Sequence, residues 1–423
     1  DIDVIRDNPE RIRKDLEKRK DDDAIKNLQR LKQIDKEWRE KKGKEDDIRH
    51  ERNEISKKIN KAKKQGKDAE QLIEKAREIP DKLEKVEQER EELEEKRKEL
   101  WWSLPNITHD SVPYGEDDED NEEIRRWGEK EKKDFDQKPH KDVVENLDVA
   151  DFERSAKLAG AGNYILKGDL ALLNQALIRF ATERLVKKGF EYQEIPLMLK
   201  KDVYETGVSM QDFEDVMYKI EGEDKYLIAT SEHPLLGQFK DEVIDEDDLP
   251  IKIVGYSMCF RKEVGSHGVD TKGLFRTHQF NKVEQIVLCK PENSWDIHND
   301  LQENAEELHR LLDLPYRVVN VCTGDLGGFA SKKYDIETWM ARRESYEETT
   351  SVSNYTDYQA RRANIKYHRE EDNSQPLVHT LNGTGIATSR ILVSIIENYQ
   401  NEDGSITIPK VLRPYMFGKE RIT

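Results

Sequence analysis

Residues 259–284, CFRKEVGSHGVDTKGLFRTHQFNKVE, read as a β-strand, a long polar loop and a second β-strand. Residues two apart on a strand project from one face. The first strand is therefore expected to present Arg261 and Glu263 together, the loop to end at Arg276, and the second strand to align Phe280, Lys282 and Glu284. Such a surface suits a nucleoside triphosphate. Guanidinium forks match phosphate oxygens, an aromatic ring offers a stacking face for a purine, and carboxylates accept from amino or hydroxyl groups. The same residues equally describe a solvated charged hairpin, and the segment alone does not choose between the two.

Four other stretches bear on that choice. In KKGFEYQEIPLML (187–199) a helix ends at Gly189 and an extended segment runs into Pro196. TSEHP (230–234) sets a hydroxyl and a carboxylate two residues apart. YEETTSVSN (346–354) is strand-like and offers Glu348 and Ser351, hard oxygen donors of the kind Mg²⁺ takes. LNGTGIATSRILVSIIEN (381–398) opens on a glycine-loosened strand or turn and continues as an apolar helix with Arg390 in its first turns. There is no GxxxxGK[ST] loop and no GxGxxG fingerprint, so any triphosphate must be held by arginines rather than by a backbone cradle. Gly324–Gly328 reads as a turn.

The chain has 423 residues, of which 35% are hydrophobic and 38% charged, so part of it must do without a thick core. Cys259, Cys289 and Cys322 are widely spaced and form no CxxC or Cys/His cluster, which indicates neither a disulfide framework nor a zinc site and fits a reducing cytoplasm. The opening DIDVIRDNPERIRKDLEKRK is charged throughout, which speaks against a signal peptide or a membrane span there. All of the net charge of −18 belongs to residues 101–423, the first hundred being close to neutral.

Those first hundred residues carry a heptad rhythm. Leu31, Ile34, Trp38, Ile48, Ile55, Ile59 and Ala62 occupy seam positions on one arm, interrupted by Lys41, Glu45 and Arg52. On the other arm Leu72, Ala76, Ile79, Leu83, Val86, Arg90, Leu93, Arg97 and Leu100 alternate spacings of four and three. Joined by KKQGKD (63–68), the two arms predict an antiparallel coiled coil, with Gly66 as a C-terminal cap and Asp68 as an N-terminal one. Pro80 is expected to kink the second arm. Lys57, Lys58, Lys61, Lys63, Lys64 and Lys67 gather at the tip with no acid among them, a phosphate-contact candidate on an acidic protein. Most coiled coils only dimerise or space, and that reading stands beside it. Residues 101–123, with Pro105, Pro113, Gly115 and EDDEDNEE, read as a linker.

Taken together, the strand ending at Pro196, the strand–loop–strand from Phe260 to Glu284 and the GxGxxxxR helix at 383–390 resemble the three signature motifs of class II aminoacyl-tRNA synthetases. More narrowly, LPNITHDSVPYGEDDEDN, RRWGE, TGDLGGFASKKYDIETW, SNYTDYQARRANI and LNGTGIATSR resemble the seryl-tRNA synthetases, over essentially the whole chain and in that family's order. The resemblance implies an α+β fold: a seven-or-so-stranded, mostly antiparallel sheet flanked by helices, with an N-terminal tRNA-binding domain over 1–104 (hairpin about 26–100) and a catalytic domain over 105–423. It implies a homodimer, formed through a motif that 189–196 resembles, that activates L-serine with ATP and Mg²⁺ and charges tRNA(Ser), with tRNA(Sec) a further candidate.

Carried onto matching positions, the resemblance assigns Arg261 to the α-phosphate and serine carboxylate, Glu263 to the adenine amino group, and Phe280 to the ring face. Arg276 and Arg390 fall to the β/γ-phosphates, with Arg261 and Arg390 as the catalytic pair. Lys262, Thr277, Thr349 and Thr350 line the ATP site, and Glu348 and Ser351 hold the metal. Thr230, Ser231, Glu232, Glu284 and Thr384 surround serine, and the six tip lysines meet tRNA. The chain departs from the family's common pattern at Glu347, where a basic residue is usual, and at Ser231 and Thr277. Two other readings remain at this stage: a synthetase-like ligase serving another acceptor, and an RNA-binding coiled-coil protein with a degenerate catalytic body.

Overall fold

The computed structural model describes residues 1–208, 214–263 and 273–423, so most of the polar loop 264–275, a candidate contact for a tRNA end, lies outside the described residues. The chain divides into two compact units, Asp1–Ile107 and Thr108–Thr423, three residues beyond the 104/105 boundary drawn from sequence. No helix among the described residues is long and apolar enough to cross a membrane.

The first unit is helical: α1 (Ile2–Asp7), α2 (Pro9–Lys18), α3 (Asp22–Lys64) and α4 (Glu70–Trp102). Asx side chains start the helices, Asn8 accepting from Arg11 N–H and Asp21 from Ala24 N–H, each satisfying an orphan donor of a first turn. Gly66 takes φ +66° past the end of α3, and Asp68 Oδ1 accepts from Glu70 N–H at 2.8 Å. α4 runs on through Pro80. Leu28, Leu31, Ile55, Ile79 and Leu83 are buried along the hairpin. Two polar interruptions of the heptads, Glu45 and Arg90, meet across it. Glu45 is buried, with Arg90 Nε of the facing arm at 2.8 Å and Arg49 at 2.7 Å. Asp35, one residue past the seam position Ile34, is 2% exposed and lies among Arg6 (2.8 Å), Arg39 (3.1 Å) and Arg97 (3.4 Å).

The second unit is built on an eight-stranded sheet: β1 (Glu122–Trp127), β2 (Glu191–Glu194), β3 (Ile251–Phe260), β4 (Gln279–Cys289), β5 (Tyr316–Asn320), β6 (Lys332–Met340), β7 (Ser345–Thr356) and β8 (His379–Ala387). The order is β1-β5-β6-β7-β8-β4-β3-β2, antiparallel except for the edge pair β2–β3. Alternation sorts the strands cleanly. On β4, Val283, Val287 and Cys289 join the large core on one face, formed with α6 (Gly168–Lys187), α8 (Ser294–Leu311) and α10 (Thr388–Asn398). Ile286 and Leu288 face the other way, into a smaller cluster with Leu235 and Leu236 of α7 (Glu232–Gly237) and Ala360 and Ala363 of α9 (Tyr358–Ala363). Phe280, Lys282 and Glu284 share that second face. α5 (His140–Asn146) packs beside α10.

Three expectations need correction. β3 ends at Phe260, so Arg261 and Glu263 do not alternate on a strand: Lys262 N–H turns away to Val216 O (2.9 Å), and Glu263 takes φ +39°. Residues 108–121 are no free linker, because they dock on the sheet unit. Asn121 Oδ1 accepts from Cys322 N–H (2.8 Å), and Gly115 N–H donates to Thr323 Oγ1 (3.2 Å). Gly324 permits the approach, since a Cβ there would fall 2.1 Å from Glu116 O. Finally, EE at 122–123 already belongs to β1.

Candidate active site

On the smaller-core face of the sheet the candidate residues gather on β4, β8, β7 and β6. Glu284 is fully buried. Its Oε1 accepts from Asn382 Nδ2 (2.9 Å), its Oε2 from Thr384 Oγ1 (3.3 Å), and Lys282 Nζ lies 2.6 Å away. Asn382 Nδ2 also donates to Glu232 Oε2 (2.7 Å). Gln359 of α9 donates to Glu232 Oε1 (2.8 Å) and is itself oriented by Thr380 Oγ1 (2.8 Å). Thr230 Oγ1 accepts from Glu232 N–H (3.2 Å) where α7 begins. Burial first, and then the charge of Glu284, push the Glu232 carboxyl up to about 7 against the pull of Gln359 and Lys282. Burial holds the neighbouring His233 down at about 3, hence neutral. Asn382 Oδ1 and Ser231 Oγ are buried with no partner among the described residues, which leaves them able to bond a small polar ligand.

Beside this pocket Arg261 donates from Nε to Ala229 O (3.3 Å), and its guanidinium sits 5.2 Å from the Phe280 ring centroid. Lys262 Nζ lies over Tyr218, and Arg276 is exposed at the end of the loop. Arg390, in the first turn of α10, donates to Glu348 O (2.6 Å), pairs with Glu348 Oε2 (3.3 Å) and covers the Phe275 ring at 5.2 Å. Burial raises the Glu348 carboxyl, but Arg390, Lys333 and Arg261 outweigh it and hold it low, so it is ionised and half exposed at the rim. The site thus has an anionic pocket for a small cation and an arginine-lined ledge for phosphates.

Ser351 Oγ lies 2.7 Å from Asp335 Oδ1 and 3.3 Å from Glu348 Oε1. Two carboxylates and a hydroxyl are the hard donors Mg²⁺ takes when substrate phosphates and water complete its octahedron. Among the described residues no group of three His, Cys, Asp or Glu is spaced to hold a metal, so this set accords with an ion shared with a substrate rather than caged by protein.

Some assigned residues turn elsewhere. Thr349 Oγ1 donates to Ile336 O (3.1 Å) and lies 2.7 Å from Thr338 Oγ1 and 3.1 Å from His309 Nε2, on the large-core side. Thr350 pairs with core Ile336 and is buried. What these two offer a nucleotide is backbone. Thr277 Oγ1 is likewise engaged with Gln279 O (2.9 Å). Glu347 lies 3.8 Å from Arg343, leaving Glu348 free to face Arg390. Sequence reading missed Asp335, Asn382 and Gln359. Asn382 carried a signal, standing two residues before Thr384 on one strand; Gln359 carried none, lying on a helix far along the chain. In the other unit, all six tip lysines are exposed, and Lys57 pairs with Glu54 at 2.8 Å.

Two family models match the chain: the seryl-tRNA synthetase N-terminal domain over residues 1–108, and the tRNA synthetase class II core domain (G, H, P, S and T) over 215–399. The serine--tRNA ligase of Methanocella arvoryzae is 51% identical over 421 residues, covering 99% of each chain, and that of Pyrococcus furiosus is 48% identical over 440, covering 99% of this chain and 97% of the relative. In three dimensions the chain is similar to the crystal structure of seryl-tRNA synthetase from Pyrococcus horikoshii complexed with ATP (TM-score 0.94, 47% identity, 100% and 99% covered). It is also similar to the cytoplasmic serine-tRNA ligase from Naegleria fowleri in complex with AMP (TM-score 0.89, 33% identity, 100% and 98% covered).

Proposed function

This chain belongs to the seryl-tRNA synthetase family, and from that premise we propose how its residues activate L-serine with ATP to seryl-adenylate and pass the seryl group to the 3′ end of tRNA(Ser). The observation that carries the reading is the buried run Lys282–Glu284–Asn382–Glu232, whose neighbouring polar atoms Asn382 Oδ1 and Ser231 Oγ await a partner. The serine ammonium is held by Glu232 and Glu284, and its hydroxyl is read by Glu284 and Thr384 beside Thr230. A site built to hydrogen-bond a hydroxyl rejects the analogue lacking it by up to ~10⁴–10⁵, since its own polar groups are left unpaired. Threonine is excluded by size.

Arg261 bridges the serine carboxylate and the α-phosphate, and holds the two reacting groups in line. Phe280 stacks on adenine, with Glu263 at the amino group and Lys262 and Thr277 flanking. Arg276 and Arg390 take the β- and γ-phosphates. No nucleophilic side chain is needed. A serine carboxylate oxygen attacks the α-phosphorus as the bond from that phosphorus to the α–β bridging oxygen breaks and pyrophosphate leaves, and positioning with charge neutralisation lowers the barrier. Glu348 and Ser351, with Asp335 behind them, would hold Mg²⁺, which supplies positive charge against the phosphates.

The exposed lysines at the hairpin tip serve the phosphate backbone of tRNA(Ser), and tRNA(Sec) is a second substrate to be tried. A homodimer is supported by the edge strand β2, which with Leu197 and Met198 leaves Tyr192 exposed beside an unpaired ladder. Light scattering at micromolar protein tests it, and a monomer contradicts it. Working with ATP and tRNA, the enzyme acts in the cytoplasm. Charging of tRNA(Ser) with labelled serine tests the whole reaction. Charge retained on the tRNA through acid precipitation supports it, and charging with another amino acid instead overturns the substrate assignment.

A further inference from the structure

The loop that returns to β4 is pinned at its base by a residue from far earlier in the chain. His140, first residue of α5, is 5% exposed, and its Nε2 accepts a hydrogen bond from Leu274 N–H at 3.1 Å. Gly273 makes room for it: φ is +88°, and a Cβ there would fall 2.3 Å from His140 Nε2. The other ring nitrogen, Nδ1, lies 3.9 Å from Glu397 Oε1 near the end of α10. Glu397 is itself buried, accepting from Arg342 N–H at 3.2 Å. The next loop residue, Phe275, is buried beneath two guanidinium groups, Arg343 at 4.5 Å and Arg390 at 5.2 Å. One imidazole therefore bonds the loop base two residues before Arg276 and lies beside the helix that carries Arg390.

We propose that His140 is a positioning residue for ATP: it fixes the Gly273–Arg276 segment so that Arg276 and Arg390 converge on the same triphosphate. The proposal rests on the reading of those two arginines as phosphate-gripping. The imidazole touches no substrate. Its contribution is a hydrogen-bond acceptor at Nε2, supplied to Leu274 N–H from α5.

A bulky apolar residue would fill the same space without accepting, whereas glutamine can put an amide oxygen near the Nε2 position. Serine-dependent ATP–pyrophosphate exchange therefore separates acceptor from filler. His140→Leu is expected to raise the KM for ATP roughly five- to tenfold, the worth of one hydrogen bond, with the KM for serine unchanged. His140→Gln recovers most of that loss. On an Arg276→Ala background, His140→Leu adds nothing further. An unchanged ATP KM in His140→Leu, an equal rise in the serine KM, no advantage of glutamine over leucine, or additive losses with Arg276→Ala each overturn the proposal. Arg276→Ala alone reports on the underlying reading. If it leaves the ATP KM unchanged, the phosphate role of Arg276 falls and this proposal with it; if it raises the KM while His140→Leu is silent, only this proposal falls. Should His140→Leu fail to fold, Gly273→Ala, which sets a methyl against the ring, must give the same ATP-specific rise or the proposal is overturned.

Discussion

Glu348 and Ser351 stand three residues apart on β7 and yet face the same side of the sheet, with Ser351 Oγ 3.3 Å from Glu348 Oε1. A regular strand would put them on opposite faces. The cause is a bulge: Glu348 pairs with Glu337 and Thr350 with Ile336, so Thr349 is an extra residue on β7. The bulge brings two oxygen donors together over Asp335 and turns Thr349 into the core.

That division of labour is testable on neighbouring positions. Glu348→Gln is expected to lower the exchange rate by roughly a hundredfold or more and to raise the Mg²⁺ needed for half-maximal rate, as removal of a charge that organises a phosphoryl centre does. Thr349→Val is expected to leave the KM for ATP unchanged and to cost about 1–3 kcal/mol of stability, because the His309 ring and the Thr338 hydroxyl lose a buried partner. A Thr349→Val enzyme with wild-type stability and a raised ATP KM contradicts this account.

The serine pocket should titrate. Burial and Glu284 raise Glu232 to about 7 from an ordinary 4.5, while Lys282, Tyr355 and Gln359 oppose the rise and His233 stays neutral. Between those values the folded protein holds a proton that the unfolded chain releases, so this group's contribution to stability falls as pH rises towards 7. Binding runs the other way, because the ionised carboxylate attracts the serine ammonium. The KM for serine is expected to fall several-fold from about pH 6 to about pH 8, and to lose that slope in Glu232→Gln. Parallel profiles for the two proteins count against the assignment.

In the helical hairpin, Asp35 is the buried acid to remove. Burial raises its pKa, but the hydrogen bond and charge of Arg6, with Arg97 and Arg39, outweigh that and leave it lowered. Its contribution is thus present above an ordinary value of 3.8 and is lost as pH falls through the depressed folded value. Asp35→Asn leaves three arginines short of a charge and should destabilise the hairpin by about 3 kcal/mol, read as faster amide hydrogen exchange around Leu28–Arg39. Unchanged protection there contradicts it.

Replacing Lys57, Lys58, Lys61, Lys63, Lys64 and Lys67 by glutamine should leave serine-dependent exchange intact while raising the KM for tRNA(Ser) and flattening its dependence on salt, since fewer phosphate counterions are released. Retained charging at wild-type KM removes the tip from the tRNA-binding surface.

Periodicity made much of this legible from the chain alone. The heptads place both long helices, and the period of two on β4 puts Phe280, Lys282 and Glu284 on one face as found. Where one residue breaks a period, sequence gave no warning. The bulge at Thr349 reverses the facing of everything beyond it, and past β3 Arg261 N–H still reaches His278 O before Lys262 N–H turns off the sheet to Val216 O. Residues recruited by topology were equally silent: Asp335 is paired through a neighbouring strand, Gln359 comes from α9, and Asp35 looks like an ordinary surface acid until Arg6 and Arg97 close on it. The segment before β1 resembles a linker by composition, and its hydrogen bonds, Cys322 N–H to Asn121 Oδ1 and Gly115 N–H to Thr323 Oγ1, show it docked.

ATP–pyrophosphate exchange driven by single amino acids addresses the central claim most directly. The account predicts exchange with L-serine and none above background with L-alanine, which offers Glu284 and Thr384 no hydroxyl, or with L-threonine, which the pocket is too small to take. Exchange that is absent with serine, or matched by alanine, would contradict it.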